Sequence, residues 1–165
     1  MYVHLEKVNE YDREVDGDVR LFVRVGSDFQ DNYYEYEIPL SYTGWYESAR
    51  ELVWPDANKV EIDLSALVSV KEHRDAAIRD GVPGILQTVP YAEVVGKGRY
   101  TVKGTPAINS VKSILIGVRN PQKQYIGDND DGMPRSVNVW VNELSLNEFS
   151  KKSGVAATAR AQANL

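Results

Sequence analysis

Val19-Arg20-Leu21-Phe22-Val23-Arg24-Val25 and Tyr34-Glu35-Tyr36-Glu37-Ile38-Pro39-Leu40 decide the fold class of this chain. In the first stretch Val19, Leu21, Val23 and Val25 alternate with Arg20, Phe22 and Arg24. In the second Tyr34, Tyr36, Ile38 and Leu40 alternate with Glu35, Glu37 and Pro39. A period of two in β-branched and aromatic residues marks a strand with one buried face. Asp31-Asn32 separates the two at hairpin distance, and Asp16-Gly17-Asp18 supplies turn chemistry before the first. The alternation returns at Val60, Ile62 and Leu64 against Lys59, Glu61 and Asp63, and at Val137, Val139 and Val141 against Asn138, Trp140 and Asn142. Ile114-Leu115-Ile116-Gly117-Val118 is apolar without alternation and predicts a central strand covered on both faces.

One stretch predicts a helix, Ser65 to Asp80. Asp63 or Ser65 would cap it, Leu67, Val70, Ala77 and Ile78 would face inward, and Gly81 followed by Pro83 would end it. Gly96-Lys97-Gly98 and Gly104 punctuate the later part. Many short strands with one short helix give a mainly β chain, a β-sandwich or barrel; local pattern does not separate a jelly roll from an immunoglobulin-type sandwich. The expected division is an N-terminal strand or linker over 1–18, a β-sandwich domain over 19–150 and a distinct tail over 151–165. In that tail Val155, Ala157, Ala159, Ala161, Ala163 and Leu165 alternate with Ala156, Thr158, Arg160, Gln162 and Asn164. Transmembrane barrel strands alternate in this way over about ten residues; the competing reading is an alanine-rich helix. The stop at Leu165 without a turn signal is expected of a piece of a longer protein.

Composition narrows the function. The 165 residues suit one domain large enough to bury a core unaided. A formal charge of −5 is a poor match for nucleic acid, which needs a basic face. Without cysteine there is no disulfide frame, thiolate nucleophile or zinc–thiolate site. No apolar run approaches the roughly 18–20 residues of a membrane-spanning helix, and Tyr2-Val3-His4-Leu5-Glu6-Lys7 is too mixed for a signal peptide.

Reactive constellations are sparse. His4 and His73 are the two histidines, and no Gly-x-Ser-x-Gly elbow surrounds a serine, so a Ser-His-Asp hydrolase is unsupported. Gly96-x-Gly98 lacks the remaining residues of a phosphate-cradling loop. Glu35 and Glu37 share one strand face about 7 Å apart and are expected to be solvated rather than to face each other across a glycosidase cleft. Gly127-Asp128-Asn129-Asp130-Asp131-Gly132 is the densest oxygen cluster. Its spacing excludes an EF-hand and leaves Asp128, Asp130 and Asp131 as candidate ligands of a structural calcium. Tyr42, Trp45, Tyr46 and Trp54 cluster in and after a loop. Flat aromatic platforms stack on sugar rings and anchor protein interfaces. Tyr42, Trp45 and Tyr46 are therefore the candidate partner or sugar surface, while Trp54 and Trp140 are expected to pack or to anchor loops.

The segments already read also carry a family resemblance. Asn32-Tyr33-Tyr34-Glu35-Tyr36-Glu37-Ile38-Pro39-Leu40 is followed by Val53-Trp54-Pro55-Asp56-Ala57-Asn58-Lys59-Val60-Glu61-Ile62-Asp63-Leu64, then by Gly104-Thr105-Pro106-Ala107-Ile108. Ile114-Leu115-Ile116-Gly117-Val118-Arg119-Asn120-Pro121 and Val139-Trp140-Val141-Asn142-Glu143-Leu144-Ser145-Leu146 come after. In this order they resemble the SprA family of gliding-motility cell-surface proteins, called Sov in some species, the outer-membrane translocon of type IX secretion in Bacteroidetes. The resemblance covers about residues 20–165. It implies a very large transmembrane β-barrel with folded inserts, this chain being one insert and 151–165 the start of a barrel strand. It further implies a non-enzyme without a cofactor, the structural calcium aside. Its place would be the outer membrane, on the cell-surface or periplasmic face. Its partners would be other domains of the parent barrel and secretion-system proteins, with the membrane reached only through that barrel. The same motif order resembles carbohydrate-binding jelly rolls, so the alternative is a sugar-binding module at the cell surface with a glycan partner.

Overall fold

The alternating stretches of 19–40 pair as an antiparallel hairpin in the computed structural model, which describes residues 1–9, 11–12, 15–120 and 134–145. Strands β2 (Arg20–Gly26) and β3 (Tyr33–Pro39) set Leu21 opposite Ile38, Val23 opposite Tyr36 and Val25 opposite Tyr34. That register gathers the apolar set on one face. The loop between them closes on one carboxylate: Asp28 Oδ1 accepts the backbone N–H groups of Gln30, Asp31 and Asn32 at 2.9, 2.6 and 2.9 Å. These bonds, with one from the Asn32 side chain, hold the Asp28 carboxyl far below the usual carboxylate range.

Strands β4 (Tyr91–Val95) and β5 (Gly98–Lys103) form a second hairpin beside β3, and β6 (Ser113–Arg119) flanks β2. The five-stranded sheet has the order β4-β5-β3-β2-β6, antiparallel throughout. Gly96 opens the two-residue turn from β4 to β5 at φ +62°, which the twist of a tight hairpin requires. On β5, a Cβ at Gly98 would run into the Tyr36 ring, which instead lies over the bare backbone and against Tyr100, with ring centroids 4.8 Å apart.

A second layer covers this sheet. Strands β1 (Val3–Lys7) and β7 (Val137–Val141) make a two-stranded antiparallel ribbon. Helix α2 (Leu64–Arg79) packs against β4 and β5. Val3 and Leu5 from the ribbon and Leu67 and Val70 from α2 enter one core with Leu21, Val23, Tyr34, Tyr36, Ile38 and Val102, and Val137 and Val139 pack against it. The helix follows the sequence reading closely. Asp63 caps it, accepting Ser65 N–H at 2.8 Å. Gly81 at φ +71° ends it, with Gly81 N–H bonded to Ile78 O and Val82 N–H to Ala77 O, a Schellman closure. Arg74 is buried within it and remains satisfied, donating to Gly104 O at 2.7 Å and to Asp75 Oδ1 at 3.0 and 2.7 Å.

The chain is thus mainly β, with two antiparallel sheets, one long helix and the one-turn α1 (Arg50–Val53) that periodicity does not reveal. The described strands number five and two, and they do not establish the jelly-roll connectivity. Three expectations change. The alternating stretch 59–64 is not a strand: residues 59–63 lie outside both sheets and Leu64 begins α2. The run 114–118 is not a central strand: β6 is the sheet's edge among the described residues, with Ile114 55 % exposed. Glu35 and Glu37 are not solvated but 5 % and 2 % exposed.

Those two carboxylates lie on the face of the sheet away from the core, under a layer of arginines. Arg24 forks onto Glu35 Oε2 at 2.8 and 2.5 Å, Arg20 reaches Glu37 Oε1 at 3.5 Å, and Arg119 from β6 bonds to both glutamates. Arg24 also covers the Tyr33 ring at 3.9 Å, and Arg119 covers Phe22 at 4.7 Å. Burial pulls the Arg119 guanidinium down, but the bonds and charges of Glu35 and Glu37 outweigh it and hold it above the ordinary arginine value. A second buried pair, Asp18 with Arg135 at 2.7 and 3.0 Å, ties the residues before β2 to those before β7.

Two outcomes follow from these charges. Glu37→Gln leaves Arg20 and Arg119 without their shared counter-charge. Breaking a fully buried pair costs about 3–5 kcal/mol, and partial solvation of the arginines reduces this to about 2–3 kcal/mol; urea unfolding should show the midpoint fall with an unchanged slope. Asp28 has a folded pKa depressed below the unfolded value of about 3.9. Its contribution is therefore complete above that value and is lost as pH falls through the folded pKa. Carboxyl-resolved NMR titration should find Asp28 still ionised at pH 3, and Asp28→Ala should flatten the acid limb of the stability curve.

Candidate interaction face

The outer side of the β1–β7 ribbon is built by register. Antiparallel pairing sets His4 opposite Trp140 and Glu6 opposite Asn138, all on the side away from the core residues Val3 and Leu5. Over this side runs the segment from Ser41 to Asn58, a loop whose ends are clamped together. Asn58, fully buried, accepts Ser41 N–H at 2.7 Å through Oδ1 and donates to Ser41 O at 2.8 Å through Nδ2. Thr43 N–H bonds to Leu5 O at 2.7 Å, which stitches the start of the loop to β1, and just past its other end Val60 N–H bonds to Met1 O at 2.8 Å, ahead of that strand. A loop closed in this way presents its side chains from a fixed frame.

His4 is the hub beneath it. Its Nδ1 lies 2.8 Å from Val53 O, and since a carbonyl only accepts, that nitrogen carries a hydrogen. Nε2 lies 3.3 Å from Glu6 Oε2. The imidazole ring stands 4.9 Å from Trp140 and 5.9 Å from Trp54, tilted against both. Trp54 is half-buried, whereas Trp140 is 47 % exposed. The loop adds Trp45, 43 % exposed, and Tyr46, 90 % exposed, whose ring centroids are 6.0 Å apart at an interplanar angle of 59°. Tyr46 sits at φ +63°, a left-handed conformation uncommon outside glycine that turns its side chain outward. α1 contributes exposed Leu52. All three tryptophans of the chain belong to this loop and ribbon.

The sequence-derived surface is therefore split. Trp45 and Tyr46 stand side by side in the open, but Tyr42 turns inward. It is half-buried against the core and lines a small cleft with Lys7, Asp12 and Arg135, while its N–H bonds to Asp16 Oδ1 at 2.9 Å. In its place the fold supplies Trp140, which sequence reading assigned to packing. The signal available was the position of Trp140 opposite His4, which only the β1–β7 register reveals. His73 lies apart, exposed on α2, 3.0 Å from Glu93 Oε2, with Tyr91 OH donating to Glu93 Oε1 at 2.8 Å; this is a surface tie between helix and sheet. Among the described residues no three His, Asp or Glu side chains could together hold a metal ion. Asp128, Asp130 and Asp131, and the tail Val155–Leu165, lie outside the described residues. Among the described residues no helix is long and apolar enough to cross a membrane.

The family whose description is motility related/secretion protein, SprA_N, matches residues 1–165. The chain belongs to the SprA_N family. The match takes in residues 1–19 as well, where motif order alone showed little resemblance, and this agrees with β1 being an integral strand of the ribbon. SprA_N is a motility- and secretion-related family, not a known enzyme family, and that description points toward the cell envelope. No curated protein matches the chain.

The different settings of the tryptophans have a measurable consequence. Trp54→Ala removes a half-buried ring packed on His4 and should cost about 1–3 kcal/mol, less than the roughly 3–5 kcal/mol of a fully buried tryptophan. Trp45→Ala should cost less than about 0.5 kcal/mol. Chemical denaturation of the two variants side by side checks the order.

Proposed function

We propose that this chain is a non-catalytic structural and interaction domain of an outer-membrane protein-export channel that serves type IX secretion and gliding motility. The observation that carries the reading is the set of exposed apolar side chains on the outer side of the β1–β7 ribbon: Trp45, Tyr46 and Leu52 from the loop clamped over it, and Trp140 from β7 itself. Exposed aromatic clusters of this kind are the usual anchors of protein interfaces. Membership of a motility and secretion family supports the context, and the partners are other domains of the parent barrel or secretion-system proteins. Such a domain works mechanically, by holding a contact surface at a fixed place on the channel.

A carbohydrate-binding role is the second reading, favoured by the openness of Tyr46 beside Trp45. The 59° tilt between the two rings means that one pyranose can lie flat on only one of them. A structural calcium at Asp128, Asp130 and Asp131 belongs to either reading and would show as a higher melting temperature in millimolar Ca²⁺ than in EDTA.

The test is the double substitution Trp45→Ala with Tyr46→Ala in the chromosomal gene of the producing cell. Secreted cargo should fall several-fold while the parent protein accumulates to its normal level. Full secretion by the double variant would contradict the channel-domain reading, and binding of the purified chain to a defined glycan on an array would favour the second.

A further inference from the structure

The aromatic face is bordered by acid. Glu47 and Glu51 on the loop and α1 are exposed, and Glu47 folds its side chain back against Gly44, beside Trp45. Glu6 stands at the ribbon edge of the face with its carboxylate partly exposed, bonded to His4 and Asn138. Asp56 closes the far side, accepting the Tyr2 hydroxyl at 3.0 Å. Arg50 is the one cation of the loop from 43 to 56, while Lys59 and Lys97 stand beside Asp56, so the acid that borders the rings is Glu47, Glu51 and Glu6. The faces of indole and phenol rings are themselves regions of negative potential that attract guanidinium and ammonium groups.

Resting on the reading of this face as a docking surface, we propose that its partner is a basic protein segment, one whose arginines or lysines lie over Trp45, Tyr46 and Trp140 and pair with Glu47 and Glu51. Two independent features of the surface converge on that chemistry. The rings supply stacking area for a planar guanidinium, and the carboxylates supply its hydrogen-bond acceptors. An acidic or neutral segment would gain the apolar contact but leave the carboxylates facing like charge or nothing, so the rim discriminates as well as attracts.

Because every tryptophan of the chain lies at this face, the three indole N–H resonances report on it directly. Hexa-arginine titrated into the 165-residue chain should shift the indole signals of Trp45 and Trp140 more than that of Trp54, and added salt should weaken the effect. Glu47→Gln with Glu51→Gln should weaken binding by about three- to tenfold. Glu72→Gln with Asp80→Asn changes the net charge equally on the distant helix and should leave binding within twofold. Equal weakening by the two double variants would reduce the effect to overall charge and overturn the proposal. So would an absence of indole shifts with hexa-arginine, or shifts of equal size with hexaglutamate. If cellohexaose alone moves the indoles, the basic partner is wrong and the face binds glycan. The docking reading itself stands or falls separately, on the secretion of the Trp45→Ala, Tyr46→Ala cell.

Discussion

The pairing of β1 with β7 is the constraint on which the rest of the molecule depends. It joins residues 130 or more positions apart, Val3 with Val141 through Lys7 with Val137. Closing so long a loop costs conformational entropy before any contact is gained. The return is a second layer for the sheet, since Val3 and Leu5 are fully buried only because the ribbon lies across Leu21, Val23 and Ile38. The buried pair of Asp18 and Arg135 and the bond from Thr43 to Leu5 hold the ribbon in register. Without it the 41–58 loop would lose the strand to which it is stitched, and His4 would have no Trp140 opposite.

The two faces of the five-stranded sheet solve different problems. The inner face excludes water with aliphatic and tyrosine side chains. The outer face carries buried glutamates, which are tolerable only because Arg20, Arg24 and Arg119 neutralise them, Arg24 and Arg119 also lying over the Tyr33 and Phe22 rings. Gly117 is part of the same device, because a Cβ there would strike the Phe22 ring that Arg119 covers. This layer keeps the outer face from being an apolar patch and leaves the aromatic face of the ribbon as the prominent exposed aromatic surface among the described residues.

What could be read from sequence was what is local. The alternation of 19–40 gave strands and inward faces, and Asp63 and Gly81 gave both ends of α2 through capping chemistry that acts within a few residues. What could not be read is what covers a face or an edge. Glu35 and Glu37 alternate as a solvated face does, and it is Arg20 and Arg24 of the paired strand together with Arg119, arriving from a strand some 80 positions later, that cover them. The apolar run at 114–118 has the composition of a central strand, yet strand order among the described residues places it at the edge. Trp45 and Tyr46 were legible as exposed because a polar loop with Gly44 surrounds them. Trp140 was not, because its setting depends on a partner strand at the other end of the sequence.

Site-specific photo-crosslinking tests the account's central claim, that the ribbon's aromatic face is where this domain meets its partner. If the proposed function is right, a benzophenone amino acid placed at Tyr46 forms an adduct with another protein, or with a further part of the export channel, in living cells. The same probe at Leu86, exposed at the opposite end of the sheet near Gly104, should form none. Adducts at position 86 with none at position 46 would contradict the account and move the working surface to the other end of the fold.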